Sequence, residues 1–320
     1  MNMLFDDLYH NILLNPLRDD KSLNNLCIIS GYSTSAMAFH HLNEIKGITI
    51  ELICGMTVSD GMSLSNHKGF CKLTQDDFRD RFKCSYVFKG LPVHSKLYIW
   101  CDGITPKYAF LGSANYTQSA MRLARRRELM MACSPEKAFA YYQAIIDDTI
   151  YCDHEDVLDF ICLYSDEKVK NTIATKDAIP KVDYSGLEHV TVSLLANDGS
   201  LPQRSGFNWG QRPELGREPN QAYIKLPASI YNTNFFPPKT IHFTILTDDG
   251  KTLVCTRAQD NGKAIHTPHN NSLIGEYIRN RLGLPNGAPV KLEDLTRYGR
   301  TDLDFYKIDD ETYYLDFSIK

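Results

Sequence analysis

Val93-His94-Ser95-Lys96-Leu97-Tyr98-Ile99-Trp100, followed at short range by Leu111-Gly112-Ser113-Ala114-Asn115-Tyr116-Thr117 and then by Arg127-Glu128, is the stretch on which the first half of the chain turns. The run predicts a strand, on which His94 and Lys96, two residues apart, face the same side. A nucleophile and a phosphate-binding cation then share one pocket. Gly112 and Ser113 end the next strand at a tight turn. From there Asn115 can point into that pocket, and the start of the following helix can offer backbone N–H groups to an anion. The glycine permits close approach, and the asparagine is a neutral donor to phosphate oxygens. A histidine nucleophile needs an acceptor on its other ring nitrogen, a role that the Glu128 carboxylate fits. Arg125, Arg126 and Arg127 offer Glu128 a plainer role, a surface ion pair. His-x-Lys alone carries little weight; the ordered set points to phosphoryl chemistry.

Outward from this stretch, strand-like and helix-like segments alternate. Leu26 to Ser30 and Ile48 to Cys54 read as strands, with Gly31 and a Ser/Thr-rich helix start between them. Lys96 to Trp100, Tyr108 to Leu111 and Glu128 to Cys133 follow. Ser134 and Pro135 then stand as N-cap and first residue of a helix running from Ala138 to Ile150. Such alternation predicts an α/β domain, a mixed sheet flanked by helices, closing near residue 170.

From about residue 180 the texture changes to short β-like runs: Val190 to Leu195, Gln221 to Leu226, Thr240 to Leu246 and Thr252 to Arg257. The turn signals Asn197-Asp198-Gly199, Asp248-Asp249-Gly250 and Asn261-Gly262 separate them, which predicts a mainly β sandwich or barrel. One helix interrupts it, Ser272 to Leu282, with Ser272 as N-cap and Gly283 as stop. The boundaries expected are 1–175 and 180–320.

Composition narrows the function classes. The 320 residues are 43% hydrophobic and 23% charged with net charge −4, which excludes a disordered chain and a protein coating nucleic acid by bulk positive charge. A local excess falls in residues 251–281, where Lys251, Arg257, Lys263, Arg279 and Arg281 stand against Asp260 and Glu276. Nine cysteines, with no Cys-x-x-Cys pair and no zinc-like spacing, read as core residues in a reducing compartment. No run reaches membrane-spanning length and the first residues carry no leader pattern, so the expected location is the cytoplasm.

The half-motif resembles that of the phospholipase D superfamily: His-x-Lys, four residues, Asp, then Gly-Ser-x-Asn, here over roughly residues 25–150. That resemblance implies His94 as a phosphohistidine-forming nucleophile or leaving-group acid, with Lys96 and Asn115 holding the phosphate. Ser113 would support them, Glu128 would orient His94, and no metal or other cofactor would be needed. The motif's aspartate falls on Cys101, with Asp102 one residue further along. The superfamily uses two motifs per active site and this chain has one, which implies a homodimer with one His94 from each subunit.

In the second half, Ser205 to Arg212 with Arg217 and Asn220 gathers donors and a tryptophan on one loop. Residues 257–272 gather Arg, Gln, Asn and Lys on another. The whole is similar to the BfiI and NgoFVII type of restriction endonuclease, whose second domain is a plant-type pseudobarrel clamping duplex DNA between two arms. By that resemblance residues 203–220 form one arm, with Asn208, Trp209, Gln211, Arg212 and Arg217 toward DNA. Residues 257–272 form the other, with Arg257, Gln259, Asp260, Asn261, Lys263 and Asn270, reading a short GC-rich sequence. Some members of the group depend on a separate NTP-hydrolysing, helicase-like subunit, and no Gly-x-x-x-x-Gly-Lys loop occurs here. Two other readings compete with a site-specific endonuclease: a DNA-binding regulator with a decayed phosphodiesterase site, and a phospholipid-processing enzyme. The regulator gains from Cys101; the lipid enzyme loses from the lack of a basic amphipathic helix or signal peptide.

Overall fold

Leu26-Cys27-Ile28-Ile29 and Ile50-Glu51-Leu52-Ile53 are near-continuous apolar runs, the pattern of strands covered on both faces. They form the parallel centre of an eight-stranded sheet in the computed structural model, which describes residues 4–122, 127–164 and 186–319 and divides the chain into units 1–182 and 183–320. The strands of the first unit are β1 (Leu4–Phe5), β2 (Asn25–Ser30), β3 (Thr49–Cys54), β4 (Phe82–Val87), β5 (Leu97–Asp102), β6 (Thr105–Gly112), β7 (Met130–Cys133) and β8 (Thr149–Tyr151), ordered β1-β7-β6-β5-β2-β3-β4-β8. β2, β3 and β4 run parallel; β5, β6 and β7 continue as an antiparallel meander from β2.

Helices cover both faces. Alternate residues of the strands, among them Cys27, Ile29, Ile53, Ile99 and Cys101, pack on Ala138, Tyr142 and Ile145 of α3 (Pro135–Ile146). Across the sheet, α1 (Ser35–Glu44) is buried from Ser35 to Leu42, and α2 (Leu64–Lys72) lies on it through Gly69, where a Cβ would stand 2.2 Å from Ser35 Oγ. Ser134 caps α3 as expected, accepting from Lys137 N with Pro135 at the first position. The helix ends at Ile146, four residues early, because Thr149–Tyr151 is taken up as the edge strand β8.

The second unit is a seven-stranded sheet of β9 (His189–Ser193), β10 (Ile224–Lys225), β11 (His242–Thr247), β12 (Thr252–Ala258), β13 (Ala264–His266), β14 (Asp302–Lys307) and β15 (Thr312–Asp316), ordered β9-β14-β15-β11-β12-β13-β10. Residues at its two edges, Ser193 to Leu195 and Tyr223 to Lys225, line one small cavity, so the sheet nearly closes on itself as a pseudobarrel. Phe243, Ile245, Cys255, Phe305, Tyr313 and Leu315 fill its core together with Ile274, Ile278 and Leu282 of α4 (Leu273–Leu282).

Gly283 stops α4 at φ 69°, as the spacing required. Ser272 does not cap it: its backbone is already helical, and its N–H bonds Asn270 Oδ1 at 2.9 Å instead. A second helix, α5 (Leu292–Tyr298), was not legible. Its N-terminus is closed by Asp294, which accepts from Lys291 N at 2.9 Å, rather than by a small capping residue in front of it.

Candidate active site and nucleic-acid interface

His94 and Lys96 are not on the strand itself. Residues 92–96 lie outside the strand ladder, although Lys96 O accepts from Gly112 N at 3.2 Å, and β5 begins at Leu97. β2, the neighbour on one side, ends at Ser30, so the lead-in is held instead by Val93 N donating to Gly55 O at 2.9 Å. Gly55 is a glycine of necessity here, since a Cβ would stand 1.9 Å from Val93 O. The shared side survives this shift. Lys96 Nζ stands 3.0 Å from His94 Nε2 and donates to His94 O at 2.7 Å. His94 is exposed, whereas Lys96 is 6% exposed. Burial pushes the Lys96 ammonium below the usual lysine range, and the nearby Glu128 charge partly restores it.

The Gly-Ser-x-Asn turn is stapled to the loop after β2. Ser30 Oγ accepts from Tyr116 N at 2.9 Å, and Asn115 Oδ1 accepts from Tyr32 N at 3.2 Å. With the oxygen so engaged, the Asn115 amide turns its nitrogen, which bonds no described residue, away from that loop. Gly112 is needed because a Cβ would lie 2.2 Å from Leu129 O. Behind the turn, Tyr98 donates to Ala114 O at 2.9 Å, and the Tyr116 hydroxyl meets buried His41 Nδ1 at 2.9 Å. The helix expected beyond Asn115 is a single turn, Gln118–Met121, and Thr117 already accepts from Ala120 N. An anion site at that helix start is therefore not formed.

Glu128 does not bond His94. It accepts the Ser113 hydroxyl, and Ser113 Oγ in turn accepts from Leu129 N at 3.1 Å. Glu128 thus anchors the turn and faces Lys96 electrostatically. Arg125 and Arg126 lie outside the described residues. The departure at Cys101 has a structural reason: position 101 points into the core under α3, where Cys101 is fully buried against Cys27, and takes no part in this site. Among the described residues no group of three or more His, Cys, Asp or Glu side chains is arranged to hold a metal ion.

In the second unit the two expected arms split into scaffold and free surface. Asn208 is 1% exposed; its Nδ2 donates to Pro202 O and Val290 O, and its Oδ1 accepts from Val290 N at 2.8 Å. Gln211 spends Nε2 on Pro219 O and Gly287 O. Arg257 is buried, donating to Gly262 O, Tyr231 O and Asn261 O. These bonds commit the Asn208 amide and the Arg257 guanidinium to their own loops: buried donors left unpaired are costly, and backbone carbonyls take them. The basic excess in 251–281 dissolves similarly. Arg279 is 0% exposed on four backbone carbonyls, and Arg281 is paired with Asp248 at 2.8 Å.

What remains outward is a smaller set. Arg217 stacks on Trp209, its guanidinium 3.9 Å from the ring centroid, and Arg212 is half-buried. On the second arm Gln259, Asp260, Asn261, Lys263 and Asn270 are exposed, with Gln259 at φ 64° and Asn261 at φ 58° holding the loop in a tight left-handed curl around Arg257.

Residues 6–159 match the family model of the NgoFVII restriction endonuclease N-terminal PLD domain, and residues 182–309 that of the NgoFVII C-terminal B3-like DNA-binding domain. The chain belongs to the NgoFVII restriction endonuclease family. It therefore pairs a phospholipase D-like nuclease domain with a DNA-binding domain, and DNA is its partner. Among curated proteins none matches. Three solved structures resemble parts of it: NucT from Helicobacter pylori (22% identity, 47% of this chain and 98% of that one, TM-score 0.32), a hypothetical Arabidopsis thaliana protein (14%, 41% and 88%, 0.21) and polyphosphate kinase from Porphyromonas gingivalis (12%, 48% and 25%, 0.27).

Within the family's nuclease domain, Gly31, Tyr32 and Asp60 also border His94 and were missed in the sequence. A Cβ on Gly31 would lie 3.0 Å from His94 Cδ2. Their one signal was position, just after the two central parallel strands, where open α/β sheets gather ligand-handling loops.

Proposed function

We propose that this protein is a site-specific endonuclease that hydrolyses DNA phosphodiester bonds through a phosphohistidine on His94, without a metal ion, in an active site completed by a second copy of the chain. The observation that carries the reading is the juxtaposition of an exposed imidazole with a buried ammonium 3.0 Å from its Nε2. That pair offers a nucleophile and a charge for a phosphate oxygen in one place.

In this mechanism His94 attacks phosphorus, a P–N bond forms, and the P–O bond to one nucleoside breaks. The departing oxygen takes a proton from His94 of the second copy, which then removes a proton from the water that hydrolyses the P–N bond. Lys96 and the Asn115 amide nitrogen hold the non-bridging oxygens, and Ser113 and Glu128 keep the turn in place. Sequence reading falls to Trp209, Arg212, Arg217 and the side-chain oxygen of Gln211 on one arm and to Gln259, Asp260, Asn261, Lys263 and Asn270 on the other. The domain boundary is proposed between 175 and 180.

The test is cleavage of plasmid and viral DNA by the full chain in excess EDTA, with His94→Ala alongside on a denaturing gel. Discrete fragments that vanish in His94→Ala support the reading. Cleavage that EDTA abolishes, or that survives in His94→Ala, overturns it. A parent that shifts a labelled duplex and leaves it intact points to a required NTP-dependent partner subunit, to be tried by adding cell extract with ATP.

A further inference from the structure

Tyr32 and Asp60 stand beside His94 and have no role in the chemistry above. Tyr32 lies in the loop after β2, and Asp60 ends the single turn Thr57–Asp60 that follows β3. The Tyr32 hydroxyl donates to Asp60 Oδ2, and Ser59 Oγ donates to Asp60 Oδ1 at 2.8 Å. The Tyr32 ring meets the imidazole of His94 nearly edge to face, centroids 5.9 Å apart and planes at 77°. Its backbone N–H donates to Asn115 Oδ1 at 3.2 Å, beside the Ser30 hydroxyl at 3.4 Å. A single loop residue therefore touches two members of the candidate site, and its hydroxyl is tied down by a carboxylate from the neighbouring strand's loop.

An exposed imidazole on a lead-in outside the strand ladder has two freedoms that a nucleophile must lose: the rotation of its ring and the uncontrolled choice of protonation. A Cβ on Gly31 would stand 3.0 Å from His94 Cδ2, Lys96 Nζ stands 3.0 Å from its Nε2, and the Tyr32 ring meets the imidazole edge to face. Asp60 is a carboxylate coupled to that imidazole, and its carboxyl is held below the usual carboxylate range by the Tyr32 and Ser59 hydroxyls, with the His94 charge adding to the effect. Tyr32 is pushed up to about 12 by its bond to Asp60. Among the described residues the charged and titratable groups that act on or touch the imidazole are Lys96, Tyr32 and Asp60, with Glu128 acting on Lys96 and Tyr164 on Tyr32.

We propose that Tyr32 and Asp60 are a positioning pair for His94: Asp60 anchors the Tyr32 hydroxyl, the anchored ring sets the orientation of the imidazole, and the Asp60 carboxylate supplies a negative charge to a site that also holds the Lys96 ammonium. The inference rests on His94 as the nucleophile. Neither residue touches the phosphate; both act through His94 and, by the Tyr32 N–H, through Asn115.

The test uses the full chain and its Tyr32→Phe, Tyr32→Ala, Asp60→Asn and His94→Ala variants. The probe is bis(p-nitrophenyl) phosphate, whose turnover is independent of DNA sequence. Tyr32→Ala lowers kcat roughly tenfold or more with KM little moved, and Tyr32→Phe, which keeps the ring, recovers most of that loss. Asp60→Asn removes a negative charge near the imidazole, which destabilises its protonated form. The acid limb of the pH profile, and the His94 signal in a histidine-labelled NMR titration, then move to lower pH. The shift shrinks as salt is raised, because Asp60 is exposed.

Parent-like kcat, KM and acid limb in all three variants, with His94→Ala inactive, overturns the pair and leaves the nucleophile standing. Turnover that survives in His94→Ala overturns the nucleophile, and the NMR titration then judges the pair alone: no shift in Asp60→Asn sinks it. Should Tyr32→Ala fail to fold by circular dichroism, Tyr32→Phe and Asp60→Asn carry the decision.

Discussion

The half-motif of the first domain and the two arms of the second were both read from polar residues in short stretches, yet the structure treated them differently. His94, Lys96 and Asn115 stay available at the ends of strands, while Asn208 and Arg257 turn inward and hold their loops together. A strand, or an extended lead-in to one, has a period of two, so spacing alone says which side chains share a face. An arm of some fifteen residues has no period. It must satisfy its own backbone carbonyls, and the same Asn and Arg side chains that suit a base edge suit that task equally well.

The sharpest way to break this contrast is His94→Ala. If the strand-end residues are the functional ones, DNA cleavage falls by on the order of 10³-fold or more while duplex binding in a gel shift is unchanged. Next in size is Asn208→Ala, which strips three buried hydrogen bonds from the first arm. It costs roughly 2–3 kcal/mol of stability in urea unfolding, with the slope of DNA affinity against salt unaltered. An altered slope with normal stability would return Asn208 to the interface.

A third comparison is by pH. His41, behind the Asn115 turn, is pushed down to about 3 by burial, so it stays neutral in the fold. An unfolded histidine takes its proton near 6.5, so this contribution is complete above that pH and is lost as pH falls from 6.5 toward 3. Between pH 6.5 and 5 the loss is about 2 kcal/mol. His41→Phe flattens that part of the stability profile, and an unchanged profile would show that the imidazole takes its proton as readily in the fold as in the unfolded chain. The smallest effect expected is Lys263→Ala on the free part of the second arm: about 1 kcal/mol of DNA affinity, a salt slope lowered by about one, and stability intact.

Departures from expectation were instructive in the same way. The basic excess in 251–281 looked like an electrostatic footprint, but Arg257, Arg279 and Arg281 are consumed inside the domain, leaving Lys251 and Lys263 exposed. Cys101, which stood where a motif aspartate belongs, lies in the core under α3, so its identity is a matter of packing. Tyr32 and Asp60 come within reach of His94 only because β2 and β3 run parallel and end at the same level, a register that no local pattern encodes.

What the sequence determined by itself was whatever depends on local period and local chemistry: the strands of the first domain, the cap of α3, the stop of α4, the β character of the second half, and His94 and Lys96 on one side. Tertiary structure alone decided which polar side chains remain free. That choice depends on whether a buried carbonyl elsewhere in the fold needs a donor, and the carbonyls served by Asn208, Arg257 and Arg279 come from segments up to 82 residues away.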